Sequence, residues 1–189
     1  MVAGVRHTWR MAAITPPTLS DGIITVRPLR EADIPAIVAA CQDPEIPRWT
    51  RVPSPYTRED AERFLAIAAT EARAGDAVGL AVADAGDNTF LGTIGLMELD
   101  GEGYGEIGFW AAREARGRGA TTRAVVLVRD WAREELGLTT IEIFSHRDNR
   151  PSQRVAERAG FTDVGEVRRI ARMPPGRQDG YMTYRWTAT

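Results

Sequence analysis

The chain has 189 residues, a formal net charge of -2, a single cysteine and 24 basic residues, every one of them arginine. A length of this order suits one domain and buries roughly 70% of the unfolded surface without disulfide staples. Lone Cys41 and scattered His7 and His146 exclude an internal disulfide or a zinc ligand set, the lack of lysine excludes a P-loop, and near-neutral charge argues against non-specific nucleic-acid binding.

No apolar stretch reaches the 18 or so residues of a membrane span, and the first ten residues lack an apolar core of signal-peptide length. The expectation is no membrane contact and a cytoplasmic location. Residues 1–20, with Pro16-Pro17, read as a poorly ordered N-terminal extension, and Met11 is a second candidate start. The domain is then 21–189.

Ile23 to Arg27 is a β-branched run that predicts a strand. Asp33 opens a helical stretch to about Cys41, stopped by Asp43-Pro44. Pro44 to Pro55 holds four prolines and reads as a loop. Thr57-Arg58-Glu59-Asp60 resembles a capping box, and Phe64, Ile67, Ala68 and Glu71 carry helical spacing up to a Gly75 cap. Three strands follow, Val78 to Val82, Leu91 to Leu99 and Tyr104 to Ala111, joined by turn chemistry at Asp84 to Asn88 and Asp100 to Gly103. A glycine-bearing loop, Arg116 to Thr122, leads into a helix with Ala124, Leu127, Val128 and Trp131 on one face, ended by Gly137. Thr140 to Ser145 alternates as a strand. Ser152 begins a helix to Gly160, and Phe161 to Arg172 and Tyr181 to Thr187 are the last strands. The order describes one α/β domain with a mixed sheet.

Arg116-Gly117-Arg118-Gly119-Ala120-Thr121-Thr122 lies between a strand and a helix. A helix start leaves backbone N–H groups without partners and favours anions. The two glycines allow close approach, the arginines add charge and the threonines add hydroxyl donors. The segment reads as a pyrophosphate cradle, or else as a tight turn with solvated arginines. Neither a dinucleotide fingerprint nor a P-loop fits its position after a run of antiparallel strands.

About thirty residues on stands Asn149-Arg150-Pro151-Ser152, running to Gly160-Phe161. Together the two segments resemble the GNAT acyltransferase superfamily and its RimJ/RimL-type branch. Glu106 to Trp110, Pro55 to Ala61 and Asp179 to Met182 add to the likeness, which spans about residues 22–187. The resemblance implies a single GNAT-like α/β (α+β) domain with a mostly antiparallel sheet of about seven strands and about four helices. It implies acetyl transfer from acetyl-CoA to a primary amine, such as a protein N-terminus, with no metal; the expected assembly is a monomer or homodimer. The alternatives are a small-molecule acceptor (antibiotic, polyamine or amino acid) and a silent acyl-CoA-binding module.

The same resemblance assigns Phe109, Trp110 and Ala111 to the pantetheine, Arg116, Gly117, Arg118, Gly119, Ala120, Thr121 and Thr122 to the pyrophosphate, and Asn149 to the pantetheine arm. Ser152 would lie near the sulfur as the acid, with a second reading as helix N-cap. Glu106 is the candidate base, with a second reading as a solvent-facing strand residue. Trp49 and Tyr56 are candidates for the acceptor mouth or a hydrophobic plug, and His146 either faces the site or, as the preferred reading, is a surface imidazole. Thr121 stands where the family has Gly or Ala. Ala156 and Phe144 replace the tyrosine and glutamate that other branches use as acid and base.

Overall fold

In the computed structural model, residues 12–167 and 179–188 are described. Their strands are β1 (Leu19–Ser20), β2 (Ile24–Pro28), β3 (Val78–Asp84), β4 (Phe90–Met97), β5 (Tyr104–Ala111), β6 (Thr140–His146), β7 (Thr162–Val167) and β8 (Tyr181–Thr187). They form one sheet in the order β1-β2-β3-β4-β5-β6-β8-β7. Neighbours pair antiparallel except β5 and β6, which run parallel. Five α-helices are described: α1 (Ile34–Ala40), α2 (Glu45–Trp49), α3 (Arg58–Ala74), α4 (Ala120–Leu136) and α5 (Arg150–Arg158).

Side chains on a strand alternate between faces, so each strand serves two layers. On one face Val26, Leu80, Ile94, Leu96, Ile107, Ile141 and Ile143 pack with Ala124, Val125 and Val128 of α4 and Ala156 of α5. Each such fully buried aliphatic side chain contributes about 1.5–3 kcal/mol. Ile34, Ile37, Cys41, Ile46, Tyr56 and Ala61 form a second core built from α1, α2 and the start of α3. Buried Arg27 and Asp33 fasten α1 to the sheet by two 2.8 Å bonds.

Eight strands replace the expected seven because Leu19 and Ser20 pair with Val26 and Thr25. Five helices replace four because α2 forms inside the proline-rich segment. Its Pro47 sits in the first turn, where a missing N–H leaves no bond unmade. Asp43 Oδ1 accepts from the Glu45 N–H at 3.1 Å, and the Thr50 hydroxyl donates to Ile46 O at 2.6 Å. Residues 12–20 do not form the loose arm expected of 1–20: Ile14 is buried and its N–H donates to Ala72 O at 2.8 Å. Residues 1–11, and the expected strand beyond Val167, lie outside the described residues. Among the described residues no helix is long and apolar enough to cross a membrane.

Candidate active site

The parallel pairing of β5 and β6 covers three rungs, Tyr104↔Thr140, Gly105↔Ile141 and Glu106↔Glu142, and stops there. Beyond it β5 continues on β4 to Ala111, and β6 continues on β8 to His146. The sheet therefore forks. Ala112 donates to Leu91 O at 2.8 Å, and ladder bonds alternate along an antiparallel pair. It follows that Gly108 and Trp110 bond to β4, while Ile107, Phe109 and Ala111 turn their main-chain groups into the fork. Of the expected pantetheine-strand residues, Phe109 and Ala111 thus offer backbone to the opening. Trp110 offers only its ring, which packs 5.9 Å from Phe90.

The fork opens into a cleft of about 1240 Å³. Single small-ligand sites span about 300–1,000 Å³, so two reactants fit here. Gly95 and Gly108 are register partners on its floor, and Met97 Cε lies 3.4 and 3.0 Å from where their Cβ atoms would stand. The absence of those side chains is what lets Met97 lie across the sheet.

At one end of the cleft stands the start of α4. Its N-cap, Gly119, takes a left-handed conformation with φ of +78°, and no side chain caps the helix. Gly117 is also left-handed, at φ +76°, and a Cβ on either glycine would meet nothing within 4 Å. The result is an open concavity above helix-start N–H groups, a ready anion site. Gly117, Gly119, Thr121 and Thr122 all border the cleft. Arg116 borders it too, but its guanidinium is held by Ala111 O at 3.0 Å and by Asp43 Oδ2 at 2.7 Å. Arg118 is exposed and off the cleft, and Ala120 is buried in the core, so these two expected phosphate contacts are not brought together with the rest through their side chains.

Opposite lies the start of α5. Asn149, not Ser152, is its N-cap: Asn149 Oδ1 accepts from the Ser152 N–H at 3.3 Å. Pro151 belongs to the first turn, so the helix begins two residues before the expected start. This frees the Ser152 hydroxyl from capping, and both residues border the cleft. The turn is fixed by Gln153, whose Nε2 donates to His146 O at 3.0 Å and Arg147 O at 2.9 Å. His146 is half-buried and lines the cleft rather than sitting free on the surface. Its Nδ1 accepts from the Asp148 N–H at 3.2 Å. Its ring lies 5.5 Å from both Trp49 and Tyr181.

On the far side, α2 and α3 form the wall. Trp49 lines the cleft, its indole N–H donating to Glu45 Oε2 at 2.9 Å. Tyr56 touches the cleft but is 7% exposed and belongs to the second core; burial pushes its phenol up to about 12. It is a wall residue, not a rim residue. Glu106 is not solvent-facing: it is 6% exposed, shares a face with its cleft-lining register partner Met97, and has Tyr104 Oη 3.2 Å from its Oε1. Sequence reasoning passed over Glu142 and Tyr104, which lie off the cleft, and Met97 and the two α5 arginines, Arg154 and Arg158, which border it. Their signals were strand alternation for the first three and helical i, i+4 spacing for the arginines.

A forked parallel pair beside an uncapped glycine-rich helix start defines an acyl-CoA-type transferase fold. The family model described as an acetyltransferase (GNAT) domain matches residues 24–162, and the chain belongs to that family. A Bacillus subtilis (strain 168) protein named "Putative ribosomal N-acetyltransferase YdaF" is 37% identical over 83 residues, 43% of this chain and 45% of that protein. The match thus spans about half the length of that curated relative. An acetyltransferase structure from Agrobacterium tumefaciens str. C58 is 26% identical with a TM-score of 0.73, covering 93% of this chain and 96% of the other. RimJ of Mycobacterium smegmatis, solved with CoA-disulfide, is 21% identical with a TM-score of 0.80, covering 94% and 90%.

Proposed function

We propose that the protein transfers an acetyl group from acetyl-CoA to a primary amine by direct attack. The observation that carries this reading is one continuous cleft joining the β5–β6 fork, the bare start of α4 and the Asn149–Ser152 turn. The residues fit the donor: left-handed glycines and free helix-start N–H groups suit a diphosphate, and the unpaired edge of β5 suits an extended amide chain. Acetyl-CoA supplies an activated thioester.

The chain's own groups supply the rest. Phe109 and Ala111 aim main-chain N–H groups into the fork, where they polarise a thioester carbonyl; one such donor is typically worth about 3–4 kcal/mol. Glu106 takes the ammonium proton through water, which leaves a neutral amine able to attack. The Ser152 hydroxyl donates a proton to the departing thiolate. Asn149 Nδ2 is free to bind the pantetheine arm while its Oδ1 caps α5. Trp49 shapes the acceptor side. The name of the Bacillus relative, a ribosomal N-acetyltransferase, favours a protein amine as acceptor.

The test is a calorimetric titration with acetyl-CoA, followed by mass spectrometry of peptide and small-amine mixtures incubated with enzyme and acetyl-CoA. Saturable binding and acetylation of an amine support the reading. Tight binding with no amine turned over favours a silent acyl-CoA-binding module.

A further inference from the structure

Gly79, Gly95 and Gly108 stand side by side on three neighbouring strands, Gly79 opposite Gly95 and Gly95 opposite Gly108. All three border the cleft and are half-buried, while Leu80, Ile94, Leu96 and Ile107 beside them are buried on the α4 face. The row therefore leaves a bare strip across the sheet on the α3 side. Ala68 of α3 closes its outer end, with Cβ 3.0 Å from where a Cβ on Gly79 would stand. Gly108 forms the inner end, one residue from the Phe109 main chain that faces the fork. The Met97 methyl lies over the strip from one side. Thr93 and Trp110, register partners, wall the other. Two residues along a strand cover about 7 Å, and the Met97 methyl takes part of that width. What remains admits a chain one methylene wide, since carbon atoms pack at about 3.5–4.0 Å. Thr93 is 6% exposed and borders the cleft, and among the described residues no group hydrogen-bonds its hydroxyl. By alternation it points to the same face as Gly95 and Met97. A hydroxyl so buried calls for a partner.

We infer that this strip is the acceptor subsite and takes a primary amine on an unbranched aliphatic chain, with Met97 setting its width and Thr93 receiving the amine. The inference rests on the transferase reading above and names the class of its acceptor. The ammonium lies beside Gly108, where the Thr93 hydroxyl accepts one N–H. The methylenes run over Gly95 toward Ala68. Two strand spacings separate Gly108 from Gly79, so the strip is about 10 Å long. A branch on the carbon that bears the amine meets the Met97 methyl on one side and Trp110 on the other. The strip thus admits a free alkylamine or a lysyl side chain. It rejects an α-amine, whose carbon is branched in every residue but glycine.

The test is a titration of the full-length protein carrying carbon-13 methyl methionine, followed by NMR. The probes are the straight amines from n-propylamine to n-decylamine, their isomers branched at the amine-bearing carbon, and an N-terminally blocked peptide with one lysine. The resonance missing from Met97→Leu identifies the Met97 methyl. It shifts saturably with the straight amines, and Kd falls about fourfold per methylene until the chain is about 10 Å long. The branched isomers bind about tenfold or more weakly. Thr93→Val raises Kd for every straight amine about tenfold or more. Gly108→Ala, whose Cβ meets only the movable end of Met97, narrows the strip and raises Kd as well. A shift with the lysyl peptide identifies a protein side chain as the source of the amine; a shift with the free amines alone identifies a small molecule. A Met97 methyl that ignores the straight amines, equal affinity for straight and branched isomers, or an unchanged Kd in Thr93→Val overturns the inference. Turnover separates the two readings. Amines acetylated with no response at Met97 remove the subsite alone, whereas a response at Met97 with no amine acetylated removes the transferase reading.

Discussion

Alanine at Gly119 separates anion binding at the start of α4 from the folding of that helix, because Gly137 provides a matched control. Both glycines flank the same helix in left-handed conformations, φ +78° and +68°, and a Cβ at either meets nothing within 4 Å. Each substitution therefore costs backbone strain alone, about 1–2 kcal/mol. In a chain of this size that lowers Tm by roughly 2–4 °C per kcal/mol. The two positions differ in what the open space is for. Gly119 borders the cleft and Gly137 does not; a helix of 17 residues puts them about 25 Å apart. A methyl at Gly119 fills the concavity above the N–H groups of Ala120, Thr121 and Thr122. Loss of one charged hydrogen bond costs about 1.5–3 kcal/mol, roughly ten- to a hundredfold in Kd. Calorimetric titration with CoA, beside scanning calorimetry of each variant, reads both effects. The expected result is equal loss of Tm and weakened CoA binding in Gly119→Ala alone. Equal CoA affinity in the two variants would refute the cradle assignment.

Three further outcomes are expected. Ser152→Ala lowers kcat about a hundredfold or more with little change in KM for acetyl-CoA, as steady-state kinetics would show; unchanged kcat removes Ser152 as the acid. Asp33→Asn leaves Arg27 buried without a counter-charge and costs about 3–5 kcal/mol, read by urea unfolding at neutral pH. Burial alone would raise Asp33, but the Arg27 bonds, the Arg30 N–H and the neighbouring positive charge hold it below the ordinary carboxylate range. Its contribution is therefore fully present above the unfolded carboxylate value of about 3.9 and is lost as pH falls through the lower folded value, so Asp33→Asn flattens the acid limb of the stability profile. Cys41 is buried and its thiol is pushed up to about 12 by that burial, so it resists a thiol reagent at pH 8 until the chain unfolds; rapid labelling of the native protein contradicts the packing of α1 against α3.

Periodicity carried most of the fold. The Tyr104–Ala111 strand and the α3 caps at Thr57 and Gly75 follow directly from alternation and capping chemistry, and both have the expected bounds. The helix α2 was hidden because proline content outweighed one fact: a first-turn proline loses no bond. Asn149 was legible as a cap, since asparagine leads that position, but Ser152 drew the assignment because proline stood just before it. The cleft is less legible than the fold. Gly117, Gly119, Thr121 and Thr122, which border the cleft, were legible as a helix start because such a start leaves N–H groups open whatever the tertiary context. The burial of Tyr56 and Glu106 was not legible, because exposure depends on which layer covers a face and not on the strand or turn itself. The Tyr104–Glu142 contact joins residues 38 positions apart, and only the β5–β6 register brings it about.

Crystals grown with acetyl-CoA bear most directly on the claim that the fork is the acyl-transfer site. The account predicts the diphosphate over Gly117 to Thr122, the pantetheine along Phe109 and Ala111 between β5 and β6, and the thioester beside Ser152. Acetyl-CoA bound outside the fork, or absent at saturating concentration, would contradict it.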